Sequence, residues 1–266
     1  MRKIFTRNLI FPAVLILTAA LQQFAQPSNA ARPGSIFAGE TLKYEGRFAK
    51  FGFSFSVAEL TISSAMAPNG TDLIVKAEAV SKGTLVKMFR FSFLQQYEST
   101  VELNGFRVIK STKHDVQKER VRDSEAVFDY SQRRVTYVET DPKDANRPPR
   151  RIASEIGDKM NDLISGIFAL RLLPLAEGKR FEIPVSDSGI VYKVPVVVTR
   201  REELKTAIGK VWCFRVEPEV FGTGRLIEQK GRMVIWVTDD DRRTPVRSQV
   251  TASVGKIDIK IRSADK

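Results

Sequence analysis

Along this chain, apolar and polar residues alternate in short runs. Leu42, Tyr44, Gly46 and Phe48 interleave with Lys43, Glu45 and Arg47, and Ile257, Ile259 and Ile261 with Lys256, Asp258, Lys260 and Arg262. A period of two is that of a strand with one wet face. Weaker alternation runs through 73–80, 133–138, 189–199, 211–216 and 232–237. Turn formers separate the runs: Pro68-Asn69-Gly70, Asn104-Gly105, Ser188-Gly189, Gly222-Thr223-Gly224 and Asp239-Asp240-Asp241. Such punctuation predicts hairpins joined in a meander. Phe53, Phe55 and Val57 share one phase and Leu60 and Ile62 the other, so a bulge is expected between them, bending the sheet. Val196, Val197 and Val198 are consecutive, which predicts a strand covered on both faces. The expected fold is mainly β: an antiparallel meander forming a curved sheet or a partly open barrel.

One stretch has helical spacing instead. Ile156, Met160, Leu163, Ile164, Ile167 and Phe168 recur at three- and four-residue intervals, with Ser154 as the expected cap and Arg171 near the end. Pro174 stops the helix, and Gly157 and Gly166 weaken it enough to divide it. This single central helix is expected to cover or plug the sheet. A second short helix is expected at 83–89. Residues 141–151, with Pro142, Pro148 and Pro149 among Arg147, Arg150 and Arg151, read as an exposed loop.

The first thirty residues read differently. Arg2, Lys3 and Arg7 precede an apolar run from Leu9 to Leu21, and Ser28-Asn29-Ala30 supplies small residues before a cut. That is the pattern of a cleavable export signal, too short for a membrane anchor. The expected organisation is a leader at 1–30 and one β-rich domain at 31–266, delivered to the periplasm or the exterior. No later stretch is long and apolar enough to be a transmembrane helix.

Charge bears on partners. The chain has 43 Lys and Arg against 31 Asp and Glu, and three of the cations lie in the leader. An exported basic domain meets anionic envelope surfaces and not nucleic acid, although net charge also serves solubility alone. The cation-rich run 118–122, with Arg133 and Arg134, reads either as a basic stripe or as a solvated strand face, Glu119 and Asp123 intervening.

Little catalytic chemistry is legible. His114 is the single histidine and Cys213 the single cysteine, so neither a histidine-based zinc site nor an internal disulfide is expected. His114 lies among charges and reads as a surface residue. Cys213, in Val211-Trp212-Cys213-Phe214, reads as a small buried hydrophobe. There is no Gly-x-Ser-x-Gly elbow, phosphate loop or dinucleotide fingerprint. Asp239-Asp240-Asp241 reads as a turn balanced by Arg242 and Arg243, its spacing being unlike a calcium loop. Glu217 and Glu219 flank Pro218, but a glycosidase pair is defined by spatial separation. No cofactor is expected.

Several landmarks resemble those of the bacterial exported proteins called domain of unknown function family 3108. They are Gly39-Glu40-Thr41-Leu42-Lys43-Tyr44, Val127-Phe128-Asp129, Asp162-Leu163-Ile164-Ser165 with Leu170-Arg171, Pro174-Leu175 and Gly178, and Gly209-Lys210 with Cys213 and Val216-Glu217-Pro218. Ile235-Trp236-Val237-Thr238-Asp239-Asp240, Pro245-Val246-Arg247 and Gly255 complete the set. They span roughly 38–262. The first hairpin departs from the family, with Phe48 and Phe51-Gly52-Phe53-Ser54 where a Trp and a Gly-rich turn are usual. The resemblance implies an exported β-rich domain with no assigned catalytic residues. Asp162, Arg171, Trp236 and Asp240 match its pattern and are expected to be structural: a helix-end charge pair, a core indole and a turn carboxylate.

Two functional readings follow. A non-enzymatic binding module would take an apolar or amphipathic, lipid-like ligand, with Phe48, Phe51, Phe53 and Phe55 as candidate contacts. The same phenylalanines serve equally well as core. A structural or assembly protein would meet envelope partners through its sheet edges or the 141–151 loop. An enzyme would need a cleft gathering distant carboxylates such as Asp129, Asp162 and Asp240.

Overall fold

The computed structural model describes residues 32, 34–50, 52–83, 87, 90–253 and 255–266. The leader predicted at 1–30 and Phe51 lie outside these residues, as does most of the short helix predicted at 83–89. Residues 31–266 make one compact unit that contains every strand and the whole apolar core.

Eight strands come first: β1 (Thr41–Lys50), β2 (Phe53–Met66), β3 (Asp72–Ser81), β4 (Phe93–Glu102), β5 (Arg107–Gln117), β6 (Arg120–Asp129), β7 (Arg134–Thr140) and β8 (Arg150–Glu155). Helix α1 (Leu163–Leu172) interrupts them. Then follow β9 (Arg180–Asp187), β10 (Ile190–Thr206), β11 (Gly209–Pro218), β12 (Gly231–Thr238), β13 (Pro245–Ala252) and β14 (Gly255–Asp265). All fourteen form a single sheet in the order β8-β7-β6-β5-β4-β3-β2-β1-β14-β13-β12-β11-β10-β9. Neighbours are antiparallel throughout, and the pairing of β1 with β14 joins the two halves. This is the predicted meander, curled but not closed, with β8 and β9 as its edges.

The predicted bulge lies where the phase slips. Gly46 faces Ala58 and Arg47 faces Ser56, which leaves Val57 extra. Val196 and Val198 are buried, but Val197 is only partly covered, so β10 is less enclosed than three consecutive valines imply.

The helix is shorter than its spacing suggests. Ser154 does not cap it. Ser154 sits in β8 and its hydroxyl donates to the Gly189 carbonyl at 2.7 Å, across the gap between the sheet edges. The cap is Asp162, whose carboxylate accepts from Ile164 N (3.0 Å) and Ser165 N (2.7 Å), while the Asp162 amide donates to Ser165 Oγ (2.9 Å). This reciprocal box fixes the helix start. Ile156 and Met160 are buried all the same, in an extended segment that bonds to both halves of the sheet. Val108 N donates to Met160 O, Asn161 N to Pro184 O, and Ser186 N to Asn161 O. Helix-like spacing here reflects burial of a plug and not helical geometry.

α1 is apolar on every side apart from buried Ser165 and Arg171, as expected of a helix with no wet face. Ile164, Phe168 and Leu172 pack into a cluster with Leu42, Tyr44, Ile62, Val75, Trp236 and Ile261. Leu163 and Leu170 pack into another, with Ile183, Val185, Val196 and Val216. Ile156 and Met160 fill a third, with Val108, Phe128, Val135 and Tyr137. Plug and walls together fill these stretches of the interior.

Alternate connections of an antiparallel meander share an end. At one end, Lys82 N donates to Val57 O and Lys118 N to Ser92 O, Lys143 Nζ reaches Glu119 O, and Ala49 faces Lys256. The β1–β2, β3–β4, β5–β6, β7–β8 and β13–β14 connections therefore adjoin one another there. The opposite end carries the Asn69-Gly70, Asn104-Gly105 and Asp239-Asp240-Asp241 turns.

Candidate functional site

The four landmark residues fall into separate settings. Arg171, at the end of α1, has a fully buried side chain. Its guanidinium grips Glu40 through two bonds of 2.6 and 2.7 Å, and its Nε and Nη2 donate to Arg242 O at 3.1 and 3.0 Å. The Phe37 ring lies 4.1 Å from the same group and Phe168 5.0 Å. One side chain thus ties the chain before β1, the plug and the β12–β13 turn together. Glu40 was not singled out in the sequence, since its partner is 131 residues away. Burial pushes the neighbouring Tyr44 phenol far above its usual range, and its hydroxyl donates to Pro245 O at 2.8 Å.

At the other end of α1, Asp162 also accepts from the Ser99 hydroxyl of β4. It borders a small polar cavity of about 40 Å³ between plug and wall, shared with Tyr97, Lys113, Tyr137, Ser186 and Asp187. Trp236 is buried, donates from Nε1 to Glu202 at 2.7 Å, and has the Arg247 guanidinium 4.9 Å from its ring. Asp240 accepts from Thr238 Oγ1 and Arg243 N, both at 2.8 Å. Asp129 accepts from Ser131 and Gln132 in its own turn. Asp129 and Asp240 thus serve their own turns, and Asp162 serves the helix start and Ser99, so the three do not form one cleft.

The other chemical candidates are likewise engaged. Glu217 is held by Arg215 and Arg232, and Glu219 by Arg225. Burial pushes the Cys213 thiol up to about 12, helped by Asp240, Glu202 and Asp239, so it is a poor nucleophile. His114 Nδ1 lies 2.5 Å from Asp123 at the surface. Within the 118–122 run, Arg120 binds Asp115 and Arg122 binds Asp141. These two arginines are thereby neutralised, which leaves Lys118, beside the Phe91 ring, as the remaining cation of the run. Arg150 and Arg151 belong to β8, so the exposed loop ends at residue 149. Among the described residues, no three His, Cys, Asp or Glu side chains converge as a metal site requires.

The largest groove, of about 750 Å³, lies across β3–β7. Its polar side chains are already engaged with one another: Lys76 with Glu98 at 2.9 Å as an ion pair, Gln96 donating to Glu78 at 2.7 Å, and His114 Nδ1 against Asp123.

The phenylalanines occupy a different place. Phe48 faces Phe55 on β2 and Ile257 on β14. Phe53 and Phe55 stack with ring centroids 6.4 Å apart. Phe53 is 67% exposed, the most of any large apolar residue among those described, and Ile257 is 38% exposed. Phe91 and Phe93, on the adjoining β3–β4 connection, lie 6.3 Å apart, with the Lys118 ammonium 5.7 Å from the Phe91 ring. These rings gather at one end of the barrel, and Phe53 is no part of the core. The sequence did not reveal Phe91 and Phe93, because they sit 38 and 40 residues from Phe53 and only strand pairing places them at the same end of the sheet.

Comparison with solved structures finds the same architecture. The chain is similar to a β-barrel-like protein of domain of unknown function DUF1849 from Brucella abortus. The TM-score is 0.57 at 9% identity, over 86% of this chain and 98% of the other. A second similarity is to a putative exported protein with a YmcC-like fold from Bacteroides fragilis, with a TM-score of 0.31 at 10% identity, covering 86% of this chain and 96% of that one. No curated protein matches the chain. Residues 42–262 match the family described as Protein of unknown function (DUF3108), and the chain belongs to that family.

Proposed function

We propose that this protein is a non-enzymatic binding module that takes an amphipathic, lipid-like ligand at the phenylalanine-bearing end of its barrel. The observation that carries this reading is exposed Phe53, stacked on half-buried Phe55 and beside half-buried Phe48. Large aromatic side chains left in water at one place on a folded domain mark interaction surfaces. The ligand is not swallowed: α1 and the 156–162 segment fill the space a carrier would keep for an acyl chain. Residues 1–30 act as an export leader in this proposal, which puts the domain in the periplasm or outside the cell, among lipids.

The test uses residues 31–266 and lysophosphatidylglycerol monomers, kept below micelle formation and titrated by NMR. Saturable shifts at the β1–β2 hairpin are expected, with affinity roughly tenfold weaker in Phe53→Ser, as one lost phenyl contact implies. Shifts that never saturate, or that ignore Phe53, refute the reading.

A second reading rests on the sheet edges. β8 and β9 each have one strand neighbour; Asn161 already bonds to the β9 edge at Pro184 and Ser186, so β8 is the edge left to recruit a partner strand. A pull-down from envelope extract, with and without residues 141–151, separates this scaffold role from the first.

A further inference from the structure

We infer that the same end of the barrel seats on an anionic lipid bilayer, with phenyl rings entering the headgroup boundary and lysines and arginines around them meeting phosphates. The inference rests on the binding reading above and names its partner.

The argument is one of juxtaposition. Strand pairing makes four connections adjoin: β13–β14, β1–β2, β3–β4 and β5–β6. Their described residues from 50 to 53, 82 to 92, 118 to 119 and 253 to 256 include six cations, Lys50, Lys82, Lys87, Arg90, Lys118 and Lys256, against the single acid Glu119. Between them lie Phe53, Phe55, Phe91 and Phe93. Lys82 also reaches Glu59 and Glu45, so its charge is partly answered within the fold. The opposite end is different in kind. Its turns are built from Asn69, Gly70, Asn104 and Gly105, and its charges are mixed, with Asp239, Asp240 and Asp241 beside Arg242 and Arg243. The rings and a surplus of basic residues therefore share one part of this end, since in the β7–β8 connection beyond them Lys143 and Arg147 are balanced by Asp141 and Asp144.

That combination fits a bilayer surface better than either component alone. Aromatic rings settle at the boundary between headgroup and acyl chain, and basic side chains near an anionic leaflet each strengthen binding by about fivefold. Rings on a stiff hairpin lose little freedom on insertion. Long lysine and arginine side chains can lie along the apolar surface and still reach phosphate.

The experiment is co-sedimentation of residues 31–266 with vesicles of equal parts phosphatidylglycerol and phosphatidylcholine, set against pure phosphatidylcholine. Preference for the anionic vesicles, weakening as salt rises, is expected. Phe53→Ser weakens it roughly tenfold, and Lys87→Gln with Lys118→Gln by about twentyfold together. Arg133→Gln, at the opposite end, changes nothing. In Phe53→Trp, added fluorescence shifts blue on vesicles and is quenched by brominated lipid. Equal binding to both vesicle types, or binding indifferent to Phe53 and the lysines, overturns the inference. If vesicles fail while lysophosphatidylglycerol monomers still bind at Phe53, the bilayer is the wrong partner and the binding reading stands. If both fail, both fall.

Discussion

Arg171 shows what a single residue decides here. Its side chain is fully enclosed, and Glu40 answers its charge with two short bonds. A buried pair of this kind is costly to desolvate, so its net contribution is modest, but removing one partner strands the other. Arg171→Met is expected to lower stability by about 3–5 kcal/mol, read by urea denaturation. The double variant Glu40→Met with Arg171→Met should recover a large part of that loss. If the double variant is as unstable as the single, the pair is not what the site depends on. The same measurement distinguishes a locking role from a ligand-binding role, since neither variant should alter lipid binding at the far end of the barrel.

Among the elements, β11–β14 carry a set of carboxylates held by arginines across neighbouring strands. Burial alone would raise Asp258, but the bidentate grip of Arg247, at 2.7 and 2.8 Å, and the charge of Lys260 outweigh it and hold it low. Glu217 is lowered in the same way, its burial overcome by Arg232 and Arg215. Asp115, on β5, is lowered by Gln95, Arg120 and Lys113 against its own burial. A carboxylate with a depressed folded-state pKa stabilises the fold above its unfolded pKa, near 4, and that stability is lost as pH falls through the folded value. The urea midpoint should therefore be flat from neutral pH to about 5 and fall steeply below 4. Asp258→Asn should cost about 1–3 kcal/mol at neutral pH and make the acid fall shallower. An unchanged acid profile in that variant would show that Asp258 is not one of the groups responsible.

At the scale of the whole molecule, the incomplete closure of the sheet matters most. Edges β8 and β9 are bridged by side chains and by the plug, not by a backbone ladder. Gly189 is the close point: its φ is +80°, and an added Cβ would stand 2.6 Å from the Tyr137 Cβ and 3.1 Å from Ile152. Hydrogen exchange should therefore be fastest among the strands at β8, and slowest at the β1–β14 junction, where both flanks are paired. Gly189→Ala combines a strained φ with that collision and should cost at least ~1–2 kcal/mol, accelerating exchange at β8 before anywhere else. Uniform acceleration through all strands would mean that the gap does not open on its own.

How far this could be read in advance depended on the range of the interactions. The sequence by itself determined the meander, the Val57 bulge and the burial of Cys213, because alternation, phase and turn residues are local consequences of strand geometry. It determined that the 156–168 segment is buried, but not its conformation. Burial spacing cannot distinguish a helix from an extended plug, and Ser154, the expected cap, lies in β8 bonded to Gly189 while Asp162 caps the helix. Only the tertiary structure decided that Glu40 answers Arg171, that Arg120 and Arg122 are consumed by Asp115 and Asp141, and that Phe53 stands in water. It also brought Phe91, Phe93 and six cations to the same end of the barrel. Each of these depends on residues brought together from distant parts of the chain, by sheet register or by the seating of the plug, which no local pattern of residues contains.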